Sequence, residues 1–109
     1  MDMVEKHYAC TKAEEKVIER ILEDDNAAVN HMILPKGTGL PEHHANSNVY
    51  MIVTQGTVTL RLDEQESHAY AAPSVLTIPF KTKMNVRNEH DGLLELFVVK
   101  APGPAKMSQ

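Results

Sequence analysis

The chain has 109 residues, the length of one domain, and its apolar fraction of 42% supplies one core but not two. Eleven Lys and Arg against fifteen Asp and Glu give a net charge of −4, without the basic block that nucleic acid or an anionic membrane requires. Apolar runs such as Leu96-Phe97-Val98-Val99 fall far short of the ~20 residues of a membrane span, and Cys10 stands alone, which excludes an internal disulfide.

The opening residues Met1-Asp2-Met3-Val4-Glu5-Lys6 have neither the basic nor the apolar block of a signal peptide, so a cytoplasmic location is expected. Residues 1–26 read as an N-terminal segment, a strand or short helix packing on the body of the domain. Within it, Thr11 and Glu14 fit a capping box, and Val17, Ile18, Ile21 and Leu22 fit a helical stripe. The β-branched run from Lys16 to Leu22, followed by the acidic turn Asp24-Asp25-Asn26, favours a strand in a hairpin with Ala28 to Leu34.

From residue 27 to 101 turn signals recur at Pro35-Lys36-Gly37, Gln55-Gly56, Asp63-Glu64-Gln65, Pro73, Pro79 and His90-Asp91-Gly92. Between them, Val58, Leu60 and Leu62 alternate with Thr57, Thr59 and Arg61, which predicts a strand with the first three on the core face. Leu94, Leu96 and Val98 alternate with Glu95, Phe97 and Val99, so both faces of that strand are apolar beyond Glu95. One of those faces is expected to meet a second sheet or a partner chain. Many short strands with regular turns predict an all-β sandwich or barrel. The last residues, 102–109, read as a frayed tail.

Between Lys36 and Asn88 the chain resembles the cupin superfamily. That family's first motif runs glycine, five residues, His-x-His, three or four residues, glutamate, six residues, glycine. Here Gly37 and His43 keep the first interval, Ala45 takes the second histidine slot, Val49 the glutamate slot, and Gly56 closes the motif. In the second motif Pro73 holds the opening glycine slot, Pro79 matches, Lys81 replaces a glycine, Met84 takes the third histidine slot, and Asn88 matches. The resemblance implies a small cupin of the conserved-barrel type, a jelly-roll β-barrel of two antiparallel sheets. With the habit of small cupins, the apolar last strand implies a homodimer formed by sheet packing or strand exchange.

The same resemblance removes the family's usual chemistry. A divalent ion needs several imidazole or carboxylate donors converging on one point. The four slots hold His43, Ala45, Val49 and Met84, so no metal cofactor is expected, and classical metal-dependent catalysis is disfavoured. A one-residue shift to Glu42, His44 and Asn48 still loses the third histidine. A rearranged site would draw on His43, His44 and His31 to hold Fe, Mn, Ni or Zn.

The expected ligand pocket is His43, Ala45, Val49, Met51, Val53 and Met84, the inward slots of the motif frame, with Met32 as a further member. Methionine ordinarily fills irregular gaps in a core, but it also makes a deformable apolar pocket. Asn48, Tyr50 and Asn85 are candidates for polar contacts beside it. His43→Ala is expected to change ligand binding or local order, whereas His68→Ala and His90→Ala change little. Three functions are compatible with these residues: a metal-independent cupin binding a small organic molecule, a metal-dependent dioxygenase or isomerase with a rearranged site, and a structural or interaction module with a filled barrel.

Overall fold

The computed structural model describes residues 3–108. Their strands, in chain order, are β1 (Val17–Glu23), β2 (Ala28–Leu34), β3 (His43–His44), β4 (Val49–Gln55), β5 (Thr57–Leu62), β6 (His68–Ala71), β7 (Ser74–Ile78), β8 (Lys83–Arg87) and β9 (Leu94–Lys100). One helical turn, α1 (Pro104–Met107), comes last. A five-stranded sheet runs β1-β2-β9-β4-β7 and a four-stranded sheet runs β3-β8-β5-β6. Every pairing is antiparallel. This is the jelly-roll arrangement of two packed sheets. No helix among the described residues is long and apolar enough to cross a membrane.

Period-two alternation decides which side chains fill the space between the sheets. Met32 and Leu34 from β2, Val49, Met51 and Val53 from β4, Val58 and Leu60 from β5, Met84 and Val86 from β8, and Leu94, Leu96 and Val98 from β9 share one core with Ala45 and Ile78. Leu62, at the end of β5, is only partly buried against it.

The acidic turn Asp24-Asp25-Asn26 joins β1 and β2 as a hairpin. The Asp24 carboxylate accepts from the amides of Asn26 and Ala27 at 2.8 and 3.0 Å. The capping box at Thr11 does not form a helix. Its hydroxyl instead donates to Glu19 Oε1 at 2.8 Å and its amide to Glu19 Oε2 at 2.9 Å. Sheet pairing of the β-branched run wins over the helical stripe.

The expectation of a frayed tail over 102–109 is corrected for the residues described. The Gly103 amide donates to the Asp25 carbonyl at 3.1 Å, and Gly103 lies so close to the Asp24 carbonyl that a Cβ would clash. Ser47 Oγ donates to the Pro102 carbonyl. These contacts hold the start of α1 against the β1–β2 turn and the segment that joins β3 to β4.

The motif positions that do match the resemblance are structural. Gly56 has φ +79°, and a Cβ there would run into the Leu93 carbonyl, so glycine alone fits the tight β4–β5 connection. Asn88 is buried; its Nδ2 donates to the carbonyls of Leu34 and Gly92 at 2.8 and 2.9 Å, and its Oδ1 accepts from the His90 amide. The Gly37 amide donates to the Asn88 carbonyl at 2.8 Å, which ties the first motif's opening residue to the second motif's last. The fixed spacing between motifs is therefore a requirement of the barrel's own hydrogen bonding.

Candidate functional site

The four metal slots of the motif frame lie where β3, β4 and β8 meet. His43 is the cross-strand partner of Met84, so both side chains project from the same face of the sheet. Ala45, two residues beyond His43, is pinned by its amide to the Thr82 carbonyl at 2.8 Å and by its carbonyl to the Lys81 amide at 2.9 Å. Ala45, Val49 and Met84 are only 3%, 2% and 3% exposed, and Met51 and Val53 are buried with them.

His43 departs from this group. It is exposed at the rim, and its Nδ1 lies 2.9 Å from the Pro41 carbonyl, to which it donates. The expectation that His43 fills an inward slot of the pocket is corrected: strand β3 is only two residues long, too short to draw the ring under cover. His44 pairs with Lys83, points to the opposite face, and is also exposed.

Similarities to known proteins bear on this arrangement. The uncharacterised protein MJ0764 of Methanocaldococcus jannaschii is 39% identical over 107 residues, covering 97% of this chain and 92% of the relative. Its crystal structure, described as an RmlC-like cupin with a double-stranded β-helix fold, superposes with a TM-score of 0.95 over 99% of this chain and 100% of that one. The chain belongs to the RmlC-like cupin family. An RmlC-like cupin from Desulfovibrio desulfuricans (22% identity, TM-score 0.74, 93% of this chain and 98% of that one) shares the fold. So does TT1209 from Thermus thermophilus (24% identity, TM-score 0.73, 92% and 98%). No family model matches the sequence.

In this cupin the residues at the family's metal position do not fit a metal. Alanine and valine have no donor atom, and the Met84 thioether is a soft, neutral ligand. Among the described residues no group of three or more His, Cys, Asp or Glu side chains is placed to hold an ion.

His31 does not rescue that site. Buried Met32 and Leu34 project into the core, so His31 and Ile33 project from the outer face of the five-stranded sheet. His31 and His43 therefore lie on different sheets and different faces, and the structure does not bring His31, His43 and His44 together. The His31 ring is fully buried, with Nδ1 at 2.8 Å from Glu19 Oε2 and Nε2 at 2.8 Å from Glu95 Oε2. Phe97 covers it, with ring centroids 4.8 Å apart.

Both ring nitrogens can donate to carboxylates only in the imidazolium form. Burial opposes that charge most strongly of any single influence, but the hydrogen bonds and charges of Glu95 and Glu19 together outweigh it. The His31 pKa is raised above the usual histidine value. Glu19 is shifted the other way: the Thr11 amide, then the His31 ring and the Thr11 hydroxyl, hold its carboxyl below the usual glutamate value. Both ring nitrogens of His31 are engaged in a Glu19–His31–Glu95 chain, so neither is free to hold a metal.

Sequence reasoning considered His31 only as an inward ligand of a rearranged site and missed this chain. The signal was available in the register: Glu19, His31 and Phe97 align across β1, β2 and β9, and alternation puts Glu95 on the same face. Only the pairing of three distant segments reveals it.

Of the proposed polar contacts, Asn48 spends its side chain on the fold, accepting from the Phe80 amide and donating to the Ala101 carbonyl, both at 3.3 Å. Tyr50 is exposed on the outer face of the five-stranded sheet. Three open clefts are lined by residues of the five-stranded sheet and the segments beside it, and one of about 280 Å³ touches Asn48, Val49 and Tyr50. Another, of about 230 Å³, is lined by Lys12, Ala13, Ile33, Gln55, Leu93 and Glu95. The third, of about 370 Å³, is lined by Ile52, Val53 and Thr54 of β4 and by Pro73, Ser74 and Val75 at the start of β7.

Proposed function

We propose that this cupin is a metal-independent interaction module: its barrel interior is a packed scaffold, and its recognition surfaces lie outside. The observation that carries the reading is the burial of Ala45, Val49 and Met84 within the continuous apolar core, at the positions where the family builds its metal site. A divalent ion placed among such side chains would have its charge uncompensated, at a cost no nearby group offsets. Close packing also leaves little for a substrate to contact.

A second reading is favoured by one feature of that core. Met32, Met51 and Met84 belong to the same cluster, and thioether side chains repack readily to admit a small apolar molecule. The two readings differ in what the methionine methyl groups do. Methyl NMR of protein titrated with benzene and with indole tests them: unmoved Met32, Met51 and Met84 signals support the packed scaffold. Saturable shifts at those three methyl groups support a small organic ligand inside the barrel.

A further inference from the structure

The Glu19–His31–Glu95 chain is unequal at its two ends. Glu19 is saturated: its Oε1 accepts from the Thr11 hydroxyl, and its Oε2 from the Thr11 amide and the His31 ring. Glu95 has one firm donor, His31 on Oε2. Its Oε1 takes only the Thr54 hydroxyl at 3.3 Å, a proton shared with the Glu95 carbonyl at 3.2 Å. One imidazolium between two carboxylates leaves a negative charge over, and this asymmetry places it at Glu95 Oε1. The Glu95 side chain is 31% exposed, and it lines the 230 Å³ cleft.

That cleft is built on one row of the outer face, where Ile33, Glu95 and Gln55 align across β2, β9 and β4. Alternation alone would turn Gln55 into the core, two residues after buried Val53. An irregularity in the β4–β9 register at Thr54 re-aims it. Gln55 then stands opposite Glu95, and the Thr54 hydroxyl reaches the Glu95 carboxylate. Ile33 is only 4% exposed although it lies outside the barrel's core cluster, and with Leu93 and Ala13 it gives the cleft an apolar wall. Lys12 enters from the N-terminal segment, held there by its neighbour Thr11 on Glu19. Among the described residues Lys12 forms no ion pair, with Glu95 or any other carboxylate.

We propose that this cleft binds a small apolar amino acid as its zwitterion, with the ammonium on Glu95 and the carboxylate on Lys12. A plain cation would meet the Lys12 ammonium and a plain anion would meet Glu95. Two opposite, unjoined charges in one cleft therefore select a molecule that carries both. Ile33, Leu93 and Ala13 take the apolar body, and the Gln55 amide can donate or accept at either end. The 230 Å³ volume lies below the roughly 300 Å³ at which drug-sized pockets begin, which limits the ligand to a small metabolite. The proposal rests on the reading that recognition lies outside a packed barrel, and it gives that outer surface a ligand class.

Methyl NMR of the full chain tests it, by titration with L-leucine, isopentylamine and 4-methylpentanoate. The last two are leucine without its carboxylate and without its amine. L-Leucine should give saturable shifts at the methyl groups of Ile33, Leu93 and Ala13, and each half-ligand should bind at least about tenfold more weakly. Glu95→Gln should weaken leucine about tenfold, and Lys12→Met, at an exposed position, about threefold. Should Glu95→Gln disturb the fold through His31, Lys12→Met and the half-ligands decide the matter. Lys83→Met is the control: Lys83 lies on the other sheet beside Glu64, and its loss should leave binding unchanged. No saturable shift up to roughly 20 mM leucine overturns the proposal while leaving the packed-scaffold reading standing. Half-ligands that bind as well as leucine overturn it too, as does indifference to both Lys12→Met and Glu95→Gln. Shifts at the Met32, Met51 and Met84 methyl groups instead would overturn both readings at once.

Discussion

His43 stands directly opposite Met84 in the β3–β8 ladder, so the one imidazole of the motif frame faces a thioether. The barrel is kept, while the side chain facing that imidazole is a poor ligand for a divalent metal. Positions that make turns and cross-links, Gly37, Gly56 and Asn88, retain the side chains the fold needs. Three of the four donor positions, Ala45, Val49 and Met84, hold side chains that pack.

Restoring the donors tests that division. Ala45→His, Val49→Glu and Met84→His together rebuild the family's set around His43. The triple variant should bind Ni or Zn more tightly than the parent in isothermal titration calorimetry. Without metal it should melt several degrees lower, because three polar groups then occupy a dry core, and zinc should recover part of the loss. Single restorations leave two donors and should bind no better than the parent.

Loss of the exposed His43 ring should be nearly silent. His43→Ala is expected to change unfolding free energy by less than about 0.5 kcal/mol in urea titration, as surface substitutions do. This revises the expectation drawn from the motif frame, which gave the ring an inward slot. A loss of about 2 kcal/mol or more would mean that the ring is covered in solution.

His31 should behave oppositely. His31→Ala leaves Glu19 and Glu95 without their shared partner and should cost about 2 kcal/mol, measured by urea unfolding at neutral pH. The pH dependence has a defined sign. Because the folded-state pKa of His31 is raised, its contribution is fully present below the unfolded histidine pKa and is lost as pH rises through the folded value. Because that of Glu19 is lowered, its contribution is present above the unfolded carboxylate pKa and is lost as pH falls through the folded value. Stability should therefore crest between the two, and His31→Ala should flatten the upper limb. An upper limb unchanged in the variant would assign the titration elsewhere.

Lys81 occupies a glycine slot of the second motif and has φ +75°, a conformation that costs a side-chain-bearing residue about 1 kcal/mol. Its side chain is exposed, with Nζ 5.4 Å from the Phe80 ring centroid. Lys81→Gly should therefore stabilise the protein by up to about 1 kcal/mol, read as a rise of several degrees in thermal midpoint. A lower midpoint would show that the Phe80 contact outweighs the backbone strain.

The barrel was legible in the sequence because its signals are local. Alternation in Val58-Thr59-Leu60, turn residues at Gly56 and Gly92, and the fixed interval from Gly37 to His43 each concern a few neighbouring residues. Strand β1 was harder to read, since Val17, Ile18, Ile21 and Leu22 serve a helix or a twisted strand with a bulge after Arg20 equally well. The tail misled because its order comes from Gly103 docking on Asp24 and Asp25, some eighty residues away in sequence. Sequence separations of 12 and 64 residues likewise hid the Glu19–His31–Glu95 chain. The inward or outward sense of His43 and His31 depended on strand length and register, which composition does not specify.

The metal content of the protein as isolated tests the central claim most directly. Protein produced without a histidine tag and purified without chelator should carry well under one equivalent of Fe, Mn, Ni and Zn combined by elemental mass spectrometry. The donor count at Ala45, Val49 and Met84 requires that result. A near-stoichiometric transition metal would contradict the account, and would mean that His43 and other imidazoles move to meet it.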